Sequence, residues 1–193
     1  MRIKWAFLIP ALAASLSAGP AEQRRGFIQA ARAQIGVTLS YDPSYVPLAY
    51  PGGDVPTDRG VCTDVIIRAF RALDLDLQKL VHEDMARAFP KYPQSWGLGG
   101  PDRNIDHRRV PNLMRFLERQ GERLAVTKDP ADYRPGDLVT CMVPGNRPHI
   151  MIVSDTPSAS DPARYQIIHN IGAGARMEDR LFDFEITGHY RYW

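Results

Sequence analysis

The sequence predicts an α+β fold in which the helices come first and the strands second. Two observations lead there. Up to residue 120 the apolar residues recur at helical spacing, and from residue 124 they gather in short runs rich in β-formers, separated by turn residues. No repeat, low-complexity tract or linker divides residues 22–193, so they are expected to form one domain of helices packed on an antiparallel sheet.

Taken in order, Phe27, Ala30, Ala31 and Ile35 predict a helix over 22–35, with Gly36 as its stop. Residues 40–60 hold four prolines and three glycines and read as an ordered, irregular loop. Val65, Ile66, Ala69, Phe70 and Leu73 form the apolar stripe of a helix over 61–73. A third helix is expected over 77–89, a second long loop over 90–109, and a short helix over 111–120 between Pro111 and Gly121. Strands are expected at 124–127, 137–143, 150–154, 165–169 and 186–192. Residues 155–164 read as the tip of a long hairpin.

Residues 1–21 stand apart. Arg2 and Lys4 precede an uncharged run from Trp5 to Ser17, followed by small residues, which is the layout of a secretory signal peptide cleaved after Ser17 or Ala21. The run is shorter than the ~20 residues a membrane-spanning helix needs. The chain is therefore expected to be exported to the periplasm, with no integral membrane segment after cleavage. Of 24 basic and 22 acidic residues, two of the basic ones, Arg2 and Lys4, lie in this segment, so the mature chain carries 22 of each. So even a balance excludes a dedicated nucleic-acid binder. The 44% apolar content excludes a disordered chain. Two cysteines, Cys62 and Cys141, are too few for a disulfide scaffold.

Cys62 follows the glycine- and proline-rich loop and opens the 61–73 helix. Free backbone N–H groups and the dipole at a helix start favour an anion there, and so predict a thiol pKa lowered toward the nucleophilic thiolate. The same N–H groups suit the oxyanion of an acyl transfer. A cysteine nucleophile needs a base, and a group to orient that base. His149 precedes the apolar run Ile150–Ser154 and His169 ends Tyr165–His169, so neighbouring antiparallel strands would bring them together. Cys141, inside a strand-like run, reads as a core residue, with a disulfide to Cys62 as the alternative. His82 reads as solvated surface and His189 as structural. No H-E-x-x-H, zinc-ribbon spacing, Walker loop, G-x-G-x-x-G or G-x-S-x-G occurs, so no metal and no cofactor is implied. A zinc hydrolase built on Asp106 and His107 is the remaining metal alternative.

At these residues the chain resembles the NlpC/P60 superfamily of papain-like cysteine peptidases. The resemblance rests on Gly60–Val65, on Arg134–Val139 with its Pro-Gly-Asp strand entry, and on the two histidine strands, Pro148–Val153 and Ile167–Asn170, in the order Cys, His, His. Over nearly the whole mature chain it is also similar to a bacterial domain-of-unknown-function family, number 1287, through YPGGDVP, GVCTDVIIRAFR, NIDHRRVPNLM and IIHNIG. The superfamily resemblance implies a papain-like fold and hydrolysis of amide bonds, often in peptidoglycan stem peptides. It maps the nucleophile to Cys62, the general base to His149 and the orienting residue to His169. Tyr50 stands where the superfamily often places a substrate-contacting tyrosine, and Asn170 is an alternative orienting group. The superfamily has an acidic or amide residue before the cysteine and Ser-Gly after it. Here Val61, Thr63 and Asp64 occupy those positions, and Asp64 is a candidate contact to substrate. Arg108 and Arg109 are candidates to hold a substrate carboxylate. The expected protein is a monomer acting on peptidoglycan or a related peptide. Its alternatives are an inert wall-binding or envelope-assembly module on the same fold, and an acyltransferase using the same triad.

Overall fold

The computed structural model describes residues 19–193. Residues 1–18, which carry most of the proposed signal peptide, lie outside the described residues.

The four expected helices form close to their expected bounds. They are α1 (Pro20–Arg32), α2 (Cys62–Arg71), α3 (Leu77–Ala88) and α4 (Val110–Gln120). The loop over 40–60 contains two short strands, β1 (Ser40–Tyr41) and β2 (Arg59–Gly60), paired in parallel. That pairing lays Tyr41 beside the residues that lead into Cys62. Arg68 of α2 holds the rest of the loop, donating to Asp54, to Thr38 and to the carbonyls of Val55 and Arg59.

The second half builds a six-stranded antiparallel sheet of β3 (Glu122–Leu124), β4 (Leu138–Val143), β5 (Arg147–Pro157), β6 (Tyr165–Asn170), β7 (Ala175–Glu178) and β8 (Glu185–Arg191), in the order β3-β8-β4-β5-β6-β7. The molecule is thus α+β, with its helices first in the chain. β3 lies two residues earlier than its sequence signal, fixed by pairing of Glu122 with Arg191. β7 has no sequence signal, because it is a four-residue edge strand whose side chains are mostly half-exposed, so its residues show no apolar alternation.

Alternation along the strands divides the core in two. Leu138, Ile150, Ile152 and Ile168 face the helices and pack with Phe27, Val65, Ile66 and Phe70. Val139, Cys141, Met151, Val153 and Ile167 face the other way, under Tyr133, Leu181, Phe182 and Phe184. Cys62 belongs to the first cluster and Cys141 to the second, and both are free thiols. The sheet stands between them, which replaces the disulfide alternative with the core reading of Cys141. Among the described residues no helix is long and apolar enough to cross a membrane.

Candidate functional site

Cys62 is the first residue of α2. Its N-cap, Val61, has no side chain able to cap the helix, and Asp64 supplies the cap from inside: its carboxylate accepts the Val61 N–H at 2.7 Å. A Cβ on Gly60 would fall 2.8 Å from that same carboxylate oxygen, so the position before the cap needs a glycine. Thr63 ties the first turn of α2 to the Arg108 carbonyl at 3.0 Å. The helix start is therefore fixed on three sides.

The β5–β6 ladder runs toward Cys62 no further than the pair Ile152–Ile168. Beyond it, the Asn170 side chain donates instead to the carbonyls of Ser40 and Gly60, and the N–H of Ile150 approaches the Cys62 sulfur. The residue before Ile150 is His149. Its Nε2 lies 2.9 Å from His169 Nδ1, and His169 Nε2 lies 2.7 Å from a carboxylate oxygen of Glu178, on β7. Both histidines are buried.

The protonation of this row follows from donor and acceptor logic. Burial holds both imidazoles below the usual histidine range, His149 at about 3. Burial outweighs even the hydrogen bond and charge of Glu178 at His169, so both rings are neutral near pH 7. The Glu178 carboxylate can only accept, so His169 carries its proton on Nε2 and presents a lone pair at Nδ1. His149 must then donate from Nε2, and its Nδ1 is left as a bare base.

Cys62 departs from the sequence expectation. Its burial pushes the thiol up to about 11, and the N–H groups of Ile150, Thr63 and Cys62 itself offset only part of that. The helix start does act in the expected direction, but desolvation is larger in a residue only 3% exposed. Cys62 rests as a thiol. Among the described residues no hydrogen bond joins it to His149, which pairs across from Cys141 in the β4–β5 ladder and is not among the residues lining the Cys62 cleft.

Cys62 lines a cleft of about 240 Å³ with Tyr41, Trp96, Arg108 and Arg109. Burial and the neighbouring Cys62 raise the Tyr41 phenol to about 12, so it keeps its proton and can donate. Tyr41 went unnoticed in the sequence, although its place in a β-pairing with the residues before Cys62 is a topological signal.

Two expected substrate contacts, Tyr50 and Asp64, and the alternative orienting group Asn170 take other places in the structure. Tyr50 does not line this cleft. Its ring packs edge-on against His82 at 5.2 Å and under Arg103 at 5.7 Å, which also makes His82 a half-buried packing residue instead of solvated surface. Asp64 is buried and spent on the Val61 N–H and on a two-pronged ion pair with Arg108, both contacts at 3.0 Å. Asn170 is fully buried and holds the strand before Cys62 instead of the histidines. Arg108 borders the cleft, but its guanidinium is engaged by Asp64 and by the carbonyls of Asp42 and Ser44. Arg109 lines the cleft, and among the described residues only its Nη1 is bound, to Asp106 at 2.9 Å.

Asp106 accepts from Asp102 N–H, Arg109 and Asn112, and burial raises its carboxyl. His107 is buried and pushed down to about 4. His189 is bound to Asp137 at 2.8 Å and stacked on Tyr133, a structural place in the far-face network.

A family model described as Domain of unknown function (DUF1287) matches residues 28–192. The uncharacterized protein YijF of Escherichia coli (strain K12) is 55% identical over 163 residues, which make up 84% of this chain and 78% of that protein. The matched span contains Cys62, both histidines, Glu178 and the residues of the cleft.

Proposed function

The chain belongs to the DUF1287 family of unknown function, and from that footing we propose that it is an exported cysteine hydrolase of papain-like, NlpC/P60 type that cleaves amide bonds in peptidoglycan stem peptides. The observation that carries this reading is the row His149, His169 and Glu178, hydrogen-bonded end to end and leaving His149 Nδ1 as a free base in the residue next to Ile150, which packs in one cluster with Cys62.

In the proposed reaction the Cys62 sulfur attacks the scissile carbonyl as its proton passes to His149 Nδ1. His149 becomes an imidazolium, and its charge is balanced through His169 by the Glu178 carboxylate. The N–H of Cys62, its neighbours in the first turn of α2 and the Tyr41 hydroxyl are the donors for the oxyanion. His149 then protonates the departing amine, and a water activated by the same imidazole hydrolyses the thioester. The thiol stays protonated until substrate arrives, so proton transfer and attack are coupled instead of starting from a standing thiolate.

The test is digestion of purified peptidoglycan by wild type and by Cys62→Ala, read by mass spectrometry of the released peptides. Wild type releases peptides, and Cys62→Ala releases none while its melting temperature changes little. Cleavage that survives Cys62→Ala would overturn the mechanism. The depth of Cys62 favours a second reading, an inert wall-binding module, and that reading is supported if both proteins bind peptidoglycan and neither cleaves it. Peptide products joined to an amine acceptor would instead identify an acyltransferase. Export is part of the proposal and rests on residues 1–21. N-terminal sequencing of native protein from the periplasm should begin at Ala18 or Glu22.

A further inference from the structure

We propose that Arg109, carried on the face of Trp96, is a carboxylate anchor in the Cys62 cleft, and that the ligand is an acyl donor bearing a free carboxylate close to the scissile amide. The inference deepens the hydrolase reading and rests on it for the word scissile, but the binding site itself does not.

Four observations converge on Arg109. Its guanidinium carbon lies 4.1 Å from the centroid of the Trp96 ring, and both residues line the cleft with Cys62. Stacking fixes the plane of the fork without using any of its N–H groups. Asp106 fixes it a second time, through Nη1 alone. Among the described residues the Nε and Nη2 N–H groups have no partner, and these two are the edge that matches a carboxylate bidentately. The neighbouring guanidinium gives the contrast: Arg108 spends its Nε–Nη2 edge on Asp64 inside the protein and has none to offer.

The surroundings select for an anion. The two cations border the cleft, while their partner carboxylates, Asp64 and Asp106, are buried behind them and do not line it. Among the described residues no Asp or Glu lines the cleft. Apart from Tyr41 and Cys62 the remaining walls are largely apolar, from Pro43, Ile105, Val110 and Pro148, so the Arg109 edge is the free two-pronged donor that a carboxylate entering here meets. Arg109 and Cys62 line one cleft of about 240 Å³, and on the hydrolase reading a carboxylate held at Arg109 belongs on or next to the residue whose carbonyl is attacked.

The experiment uses the purified protein and two probes of equal size, N-acetylglutamate and N-acetylglutamine amide, with affinities for wild type and variants measured by titration calorimetry and the site located in wild type through the Nε–H resonances of the arginines. The acid should shift the Arg109 signal saturably and leave Arg108 unmoved, and the neutral amide should bind at least tenfold more weakly. Arg109→Gln should remove this preference. Arg109→Lys keeps a charge for Asp106 but lacks the two-pronged edge, and should remove it too, which separates loss of the anchor from loss of the ion pair. Equal binding of acid and amide, no saturable shift with either, or an unchanged preference in Arg109→Lys would overturn the anchor. Failure of Cys62-dependent cleavage with the preference intact would count against the hydrolase and leave the anchor standing.

Discussion

At the scale of single residues, Glu178 is the most informative. In the proposed reaction it is a positioning residue: it touches neither substrate nor thiol, and fixes the proton on His169 so that His149 offers a lone pair. Glu178→Gln can donate to His169 as well as accept, which permits the wrong tautomer. It should lower kcat by about 10²-fold or more, while leaving KM and the melting temperature nearly unchanged. A variant with full kcat would remove Glu178 from the relay. The pH profile checks the same point. With His149 at about 3 and Cys62 at about 11, kcat/KM should be flat from pH 5 to 9. A limb near pH 6.5 would mean that the imidazole titrates normally. The sequence singled out Cys62, His149 and His169 because the first opens a helical period and the other two flank apolar runs, and the structure joins the two histidines to each other. Glu178 was not. It pairs across from Ile167, diagonal to His169, and only the β6–β7 register brings it into contact.

At the scale of elements, the start of α2 depends on a buried ion pair. Asp64 caps the helix and neutralises Arg108, which in turn holds the carbonyls of Asp42 and Ser44. Asp64→Ala strands a buried guanidinium and should cost about 3–5 kcal/mol, read from urea midpoints. The double variant Asp64→Asn with Arg108→Met should recover part of that loss, because no charge is then left buried without a partner. The helices were predicted within a few residues because each buries one apolar stripe, α1, α2 and α4 against the sheet and α3 against α2 and α4. The roles of Asp64 and Asn170 were misread, because polar residues beside a reactive cysteine look alike in sequence whether they face substrate or hold the backbone. Burial separates the two, and burial belongs to the assembled fold.

At the scale of the whole molecule, three buried histidines make the fold sensitive to acid. His107, His149 and His169 all have pKa values below the ordinary 6.5, with His107 at about 4. In the unfolded chain they take up protons near pH 6.5, whereas the native state does so only at lower pH. Stability is therefore full above about pH 6.5 and falls as the pH drops below it, each histidine contributing up to about 1.4 kcal/mol per pH unit. Urea midpoints at pH 7, 6 and 5 should fall in that order. His107→Leu, with no proton to gain, should flatten the decline, and a midpoint independent of pH would contradict it. The antiparallel sheet was predicted from short runs of β-formers separated by turn residues. The segment that covers its far face, from Leu181 to Phe184, was not, because its apolar residues follow no period.

The depth of Cys62 has a consequence for the ageing of the protein. Peroxide attacks thiolates, and the first product, a sulfenic acid, is rescued when a second thiol condenses with it. Cys141 packs on the far face of the sheet and is badly placed for that rescue. A standing thiolate at Cys62 would therefore oxidise toward the irreversible sulfinic acid in any aerated compartment. A resting thiol near pKa 11 slows the first step, so in the proposed reaction the burial that delays attack on substrate would also lengthen the life of the thiol.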